Sequence, residues 1–441
     1  IDTTSGTGFN ATGGTLIVTG ANNRIDTTTG QILNLNGVTG GTGGINFASL
    51  TATATVANNG ILLNNLAGNT FSGGTVNIGG PSGGANDGVK VIGGTAAINF
   101  GTTTIGAAGS NAIELLNSGS TVTFGTVNLA GAGSSTVVIA GPGGGAPPDP
   151  HPTTPTGPAN PTVDITGGTG EIGIAAALAG TNMVEIIDHE TGNITFSGNM
   201  SSTVGGISIT NVNSGLITFS GQTLALNATG AGVVMAGNSG GTIDFNPVAG
   251  GNGLDIVSTG SGFSAGSGGT VIVRGTGNSI STTGTGTALS LQNVTIGTSG
   301  FTFDSVSANG ATTGILINGV GTVAPAIALG TVNLQGITSR GIDITGIVPV
   351  GLAITDLDIG LNSNSAVALD LNGATLSAPI MFGDFDVTNA GGPGTSIAVD
   401  LGGTLGGANI MLGYVAGASS SIAGVGTGIY LNATTNALLV Y

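Results

Sequence analysis

A short strand pattern that returns about every 25 residues constrains this 441-residue chain more than any other feature. A small residue is followed by an aliphatic, any residue, and a second aliphatic. The pattern reads Gly60-Ile61-Leu62-Leu63, Gly88-Val89-Lys90-Val91 and Ala112-Ile113-Glu114-Leu115, and later Gly314-Ile315-Leu316-Ile317 and Gly341-Ile342-Asp343-Ile344. A second motif, such as Ile98-Asn99-Phe100 or Ile194-Thr195-Phe196, lies between these, and a third follows it closely, as in Gly74-Thr75-Val76-Asn77-Ile78 and Gly330-Thr331-Val332-Asn333-Leu334. Side chains alternate faces along a strand, so Ile, Val, Leu and Phe point inward while Thr, Asn, Ser and Asp point outward. Three short strands per coil describe an all-β chain, a single-stranded parallel β-helix of about 25 residues per coil. Variable coil lengths favour the right-handed, pectin-lyase-like solenoid. A β-propeller would beat at about 40–50 residues, and a sandwich would carry hairpin signals instead.

Composition agrees. Glycine contributes 88 residues, and charged residues only 5%. Helix formers such as Glu, Lys, Gln and Arg are scarce, which disfavours long helices. The net charge of −16, with only three arginines and one lysine, excludes nucleic acid as a partner, because phosphate binding needs clustered cations. Cysteine is absent, so neither disulfides nor thiolate metal sites are available. No apolar run approaches the ~18 residues of a membrane-spanning helix.

A longer repeat is superimposed on the coils. Residues 14–140 align with 269–400 at an offset near 255, as in Thr15-Leu16-Ile17-Val18 with Thr270-Val271-Ile272-Val273. The chain therefore reads as a first module at 1–140 that continues over 163–268, and a second at 269–441. Residues 141–162, with Pro147-Pro148-Asp149-Pro150-His151-Pro152, interrupt the pattern as a loop or a linker, since proline cannot donate to a sheet ladder.

Four acids fall in register. Asp356 and Asp358 occupy outward positions of one strand, and Asp384 and Asp386 occupy the same positions 28 residues later. Like charges one coil apart repel, and calcium, which takes oxygen ligands, would relieve them. The four are the candidate metal residues, against the plainer reading of a solvated acidic face; Asp370 and Asp400 align in the strands that follow. Glu185-Ile186-Ile187-Asp188-His189-Glu190 is a second dense spot, but one imidazole without another reads more simply as a strand edge entering a turn. Arg24 and Arg274 lie near equivalent points of the two modules, where a structural role is expected. No catalytic constellation emerges, and the chain is expected not to be an enzyme.

The Gly/Thr/Asn-rich coils, such as Thr287-Ala288-Leu289-Ser290-Leu291-Gln292-Asn293-Val294-Thr295-Ile296, resemble bacterial secreted and surface β-helix repeat proteins, among them autotransporter passengers and filamentous-haemagglutinin-like adhesins. The resemblance implies an extracellular or cell-surface location and a structural or adhesive role, with cell-surface polysaccharide as an alternative partner. A polysaccharide lyase or hydrolase is the third reading. Ile1 at one end and the apolar Leu438, Leu439, Val440 and Tyr441 at the other are the candidate assembly residues of a head-to-tail homopolymer, because an open coil end templates further pairing.

Overall fold

The computed structural model describes the chain except for residues 82–85, 107–111, 117–118, 126, 130–136, 141–162, 167–171, 175–177, 181–183, 248–250, 323–325, 349, 405–407, 415–419, 435–436 and 441. The proline-rich stretch at 141–162, including His151, thus lies outside the described residues. The chain is a parallel β-solenoid with coils of about 26 residues; 61% is strand, and no helix occurs among the described residues. It divides into two compact units, 1–200 with 209–220, and 201–208 with 221–441.

In the first unit, one sheet stacks the short strands. Leu33 pairs with Ile61, Ile61 with Val89, and Val89 with Ile113, while Leu35, Leu63, Val91 and Leu115 form the neighbouring column. All eight are at most 2% exposed. Such columns explain the narrow alphabet, because a residue that fits one coil fits the next in the same place. The opposite wall is built from longer, bent strands such as Phe71–Ile78 and Ile98–Ile105. The second and third sequence motifs therefore join into one strand with a kink rather than standing apart. Gly74, at φ 58°, makes the kink, and a Cβ there would drive into the carbonyls of Phe47 and Ala48. Phenylalanines stack along this wall, with Phe100 and Phe124 at 5.0 Å and Phe196 and Phe219 at 4.9 Å between ring centroids.

The second unit follows the same plan. Phe263 pairs with Leu289, Leu289 with Ile315 and Ile315 with Ile342 in the short-strand sheet. The bent wall runs through Thr295–Asn309, Ile327–Ile337, Leu352–Leu361 and Ile380–Asn389.

One corner recurs in both units. The residue after a short strand adopts the left-handed conformation, at φ 52–64° for Gly13, Gly37, Asn65, Gly93 and Asp188, and 52–69° for Gly237, Ser267, Asn293 and Gly319. Glycine, Asn and Asp tolerate this region best, which accounts for their spacing in the sequence.

The 255-residue repeat is visible in the bonding. Asn23 donates through Nδ2 to the carbonyls of Thr19 and Asn46, at 3.0 Å each. Asn278 donates to those of Arg274 at 3.2 Å and Thr302 at 3.1 Å. Equivalent strands also carry the same bulge, between Leu16 and Val18 and between Val271 and Val273.

Candidate functional site

The four-aspartate ladder forms on the bent wall of the second unit. Asp356 pairs with Asp384 and Asp358 with Asp386 across adjacent coils, and all four side chains are half-buried. Burial pushes the Asp358 carboxyl above the ordinary value of 3.8, and the charges of Asp356, Asp386 and Asp384 push it further. The later pair is already hydrogen-bonded. Asp384 Oδ1 accepts from the Phe385 amide at 3.0 Å and the Ser420 hydroxyl at 3.2 Å, and Asp386 accepts from the Ser421 hydroxyl. Among the described residues, no set of three or more His, Asp or Glu side chains is arranged to hold a metal ion. Register brings the carboxylates together without forming a ready cage.

A second acidic ladder runs on the short-strand sheet, where Asp343 pairs with Asp370 and Asp370 with Asp400. Arg340 serves it. Its Nε lies 2.6 Å from Asp370 Oδ2 and 3.5 Å from Asp343 Oδ2. Asp370 Oδ1 accepts from the Asn372 amide at 2.9 Å. Asp343 Oδ1 and Asp400 Oδ1 are buried without a hydrogen-bond partner. Burial, followed by the charge of Asp370, raises the Asp400 carboxyl, against the opposing pull of Arg340; burial likewise raises Asp343. The sequence pairs Asp370 with Asp400 by spacing, but the place of Arg340 is hidden, because its partner lies 30 residues on, in the next coil.

The dense stretch around His189 resolves as a turn. His189 is fully buried, with Nε2 3.3 Å from the Gly192 carbonyl, and Asn211 Nδ2 donates to Asp188 Oδ1 at 3.0 Å. The two arginines near module starts differ. Arg274 grips Asp244 with two bonds, of 3.1 Å and 2.6 Å, whereas Arg24 is exposed and its carbonyl accepts from the Ile1 amine at 2.9 Å.

The candidate assembly residues lie on strands paired on one edge. Thr427–Thr434 pairs with Ile397–Thr404, placing Ile429 and Leu431 over Val399 and Leu401. The latter two are fully buried, while Ile429 and Leu431 are 37% and 53% exposed. Leu438 lies over Ile410 and Val440 over Leu412; Leu438 is half-buried and Val440 62% exposed. The Leu439 side chain and Tyr441 lie outside the described residues. In the first unit, Phe9–Thr12 pairs with Leu33–Asn36, and Ile1 and Ile17 are 58% and 51% exposed.

No protein-family model, curated protein or solved structure matches the chain.

Proposed function

We propose that the protein is an extracellular structural element, the subunit of a fibre, sheath or surface layer that grows by end-to-end stacking of solenoids. The observation that carries this reading is the strand Thr427–Thr434. Its inward positions, Ile429 and Leu431, continue columns that are fully buried one coil earlier, yet they stand in water. Among the described residues no strand occupies its second edge, so a row of backbone donors and acceptors is open to pairing. The Phe9–Thr12 coil of a second copy offers the complementary surface, with Phe9 and Ala11 at inward positions and half-buried. The two surfaces differ, so the contact is heterologous and extends instead of closing. Each aliphatic covered contributes about 1.5–3 kcal/mol. Bacterial surface β-helix proteins offer the nearest functional analogy, and this reading assigns no catalysis.

Sedimentation and electron microscopy of the 441-residue chain test it. Concentration-dependent filaments are expected, and Ile429→Asp with Leu431→Asp should leave soluble, folded monomers. A parent that stays monomeric at high concentration refutes the reading.

A polysaccharide-binding surface is the second reading. It draws on a groove of about 400 Å³ in the second unit, lined by Asn293, Asn318 and the 66%-exposed Ile347, where amides adjoin an apolar platform. Glycan-array binding that is lost in Asn318→Ala would favour it.

A further inference from the structure

We propose that Lys90 forms an amide bond with Glu114, a covalent rung between two consecutive coils of the first unit, with Asp87 as the group that moves the protons. Lys90 is the single lysine of the chain. It pairs in register with Glu114 on the next coil, and the two side chains meet as an ion pair. Its Nζ also lies 3.1 Å from Asp87 Oδ2. The three side chains are sheltered, at 20% exposure for Lys90, 15% for Glu114 and 1% for Asp87. The Asp87 backbone is held in place, since its amide donates to Asn59 Oδ1 at 2.7 Å and its carbonyl accepts from the Gly60 amide at 2.9 Å.

The chemistry follows from two acids in unlike roles. Burial raises the Glu114 carboxyl and Asp87 adds to the rise, against the pull of Lys90, so its neutral acid form is favoured. A neutral carboxylic acid is an electrophile, and a carboxylate is not. Asp87, in hydrogen-bond reach of the ammonium, is the base. The ammonium passes a proton to Asp87, and the free amine attacks the Glu114 carboxyl carbon. A C–N bond forms, the C–OH bond breaks, and the hydroxyl leaves with the second amine proton as water. Asp87 ends protonated, the charge sums to zero before and after, and no oxidant or co-reactant is needed. Burial lowers the Lys90 value, but its bonds and attraction to Glu114 and Asp87 outweigh this and raise it, so the ammonium is the resting form and the bond closes slowly after folding. Fixed proximity makes the slow step feasible, because parallel strands hold the two side chains together and effective molarities in oriented pairs reach about 10⁵–10⁸ M. The rung does not depend on the assembly reading.

Intact mass spectrometry of the denatured protein, followed until the mass is constant, tests the bond. The expected mass is one water below the sequence mass, with fragment ions joining Lys90 to Glu114. Lys90→Met and Asp87→Asn should each have the full mass of their own sequence. A parent at full sequence mass overturns the proposal. So does a deficit that persists in Lys90→Met, because Asp87-Gly88 can lose the same water by closing to a succinimide. If a variant fails to fold, the fragment ions of the parent decide alone.

Discussion

Asn278 offers a sharp test of how the coils are tied together. Its side chain is fully buried and spans three coils. Oδ1 accepts from the Leu254 amide at 2.8 Å, and Nδ2 donates to the carbonyls of Arg274 at 3.2 Å and Thr302 at 3.1 Å. Truncation to alanine strands one buried donor and two buried acceptors. Each costs about 1–3 kcal/mol when left unsatisfied, although a carbonyl retains its second lone pair, so about 3–5 kcal/mol is expected for Asn278→Ala. Asn23 makes the equivalent bonds in the first unit but is only half-buried, so water can replace the amide there. Asn23→Ala should then cost about 1 kcal/mol. Urea unfolding monitored by circular dichroism compares the two, and hydrogen exchange at the Leu254 amide reads the local effect. Equal, small losses at both sites would refute the claim that buried amide bonding, rather than apolar stacking alone, fixes this corner.

Other outcomes follow from the same physics. Phe219→Ala removes one partner of a fully buried ring stack and should cost about 3–5 kcal/mol in urea unfolding. Asp343, Asp358 and Asp400 sit above the carboxylate value of 3.8 and Glu114 above 4.5. The folded state therefore binds these protons more tightly than the unfolded chain. Their stabilisation is complete below those ordinary values and is lost as pH rises through the folded ones, so the melting temperature should rise on acidification from neutral pH towards about 4. A monotonic fall over that range would contradict this. Asp358→Asn should raise stability at neutral pH, measured by thermal melting, because it removes a half-buried charge beside three others. Calcium at about millimolar concentration should raise the melting temperature through the Asp356, Asp358, Asp384 and Asp386 ladder, and Asp384→Asn with Asp386→Asn should abolish the gain; no shift in the parent protein removes calcium from that face.

The short-strand sheet was readable from sequence because its signal is local. In Gly60-Ile61-Leu62-Leu63 the alternation alone says which residues face inward, and Ile61 and Leu63 are indeed buried. The register of Asp356 with Asp384 was likewise readable, since identical motifs 28 residues apart leave little choice of alignment. Other contacts were not. Arg340 reaches Asp370 by a diagonal across coils of unequal length, which motif spacing cannot settle. The merging of two motifs into one bent strand at Gly74 depends on a backbone conformation that any glycine permits, in a chain where glycine is everywhere. Asn278 was hidden for a similar reason. An Asn in a turn reads as solvated, and only the closing of the next coil over it makes it buried.

The scarcity of charge has a structural cause in the stacking itself. In a parallel solenoid an outward side chain faces the same position of the coils before and after, about 4.8 Å away. A chain that grows by repeating a coil would therefore line up like charges, at a repulsive cost on every rung. Threonine, serine and asparagine escape this, because they both donate and accept, as when Asn64 Nδ2 donates to Asn36 Oδ1 at 3.1 Å. Where cations do occur, three of the four meet an acid on an adjacent coil, in the pairs Lys90 with Glu114, Arg274 with Asp244 and Arg340 with Asp370. Those pairs break the repeat at points where a buried acid would otherwise stand alone; Asp244 and Asp370 have side chains only 6% and 7% exposed. Removing such a cation leaves a buried carboxylate without its counter-charge, which costs far more than a surface ion pair contributes. The few charges are thus fixed by their neighbours one coil away, and exchanging Arg340 for a neutral residue should be tolerated only together with Asp370→Asn.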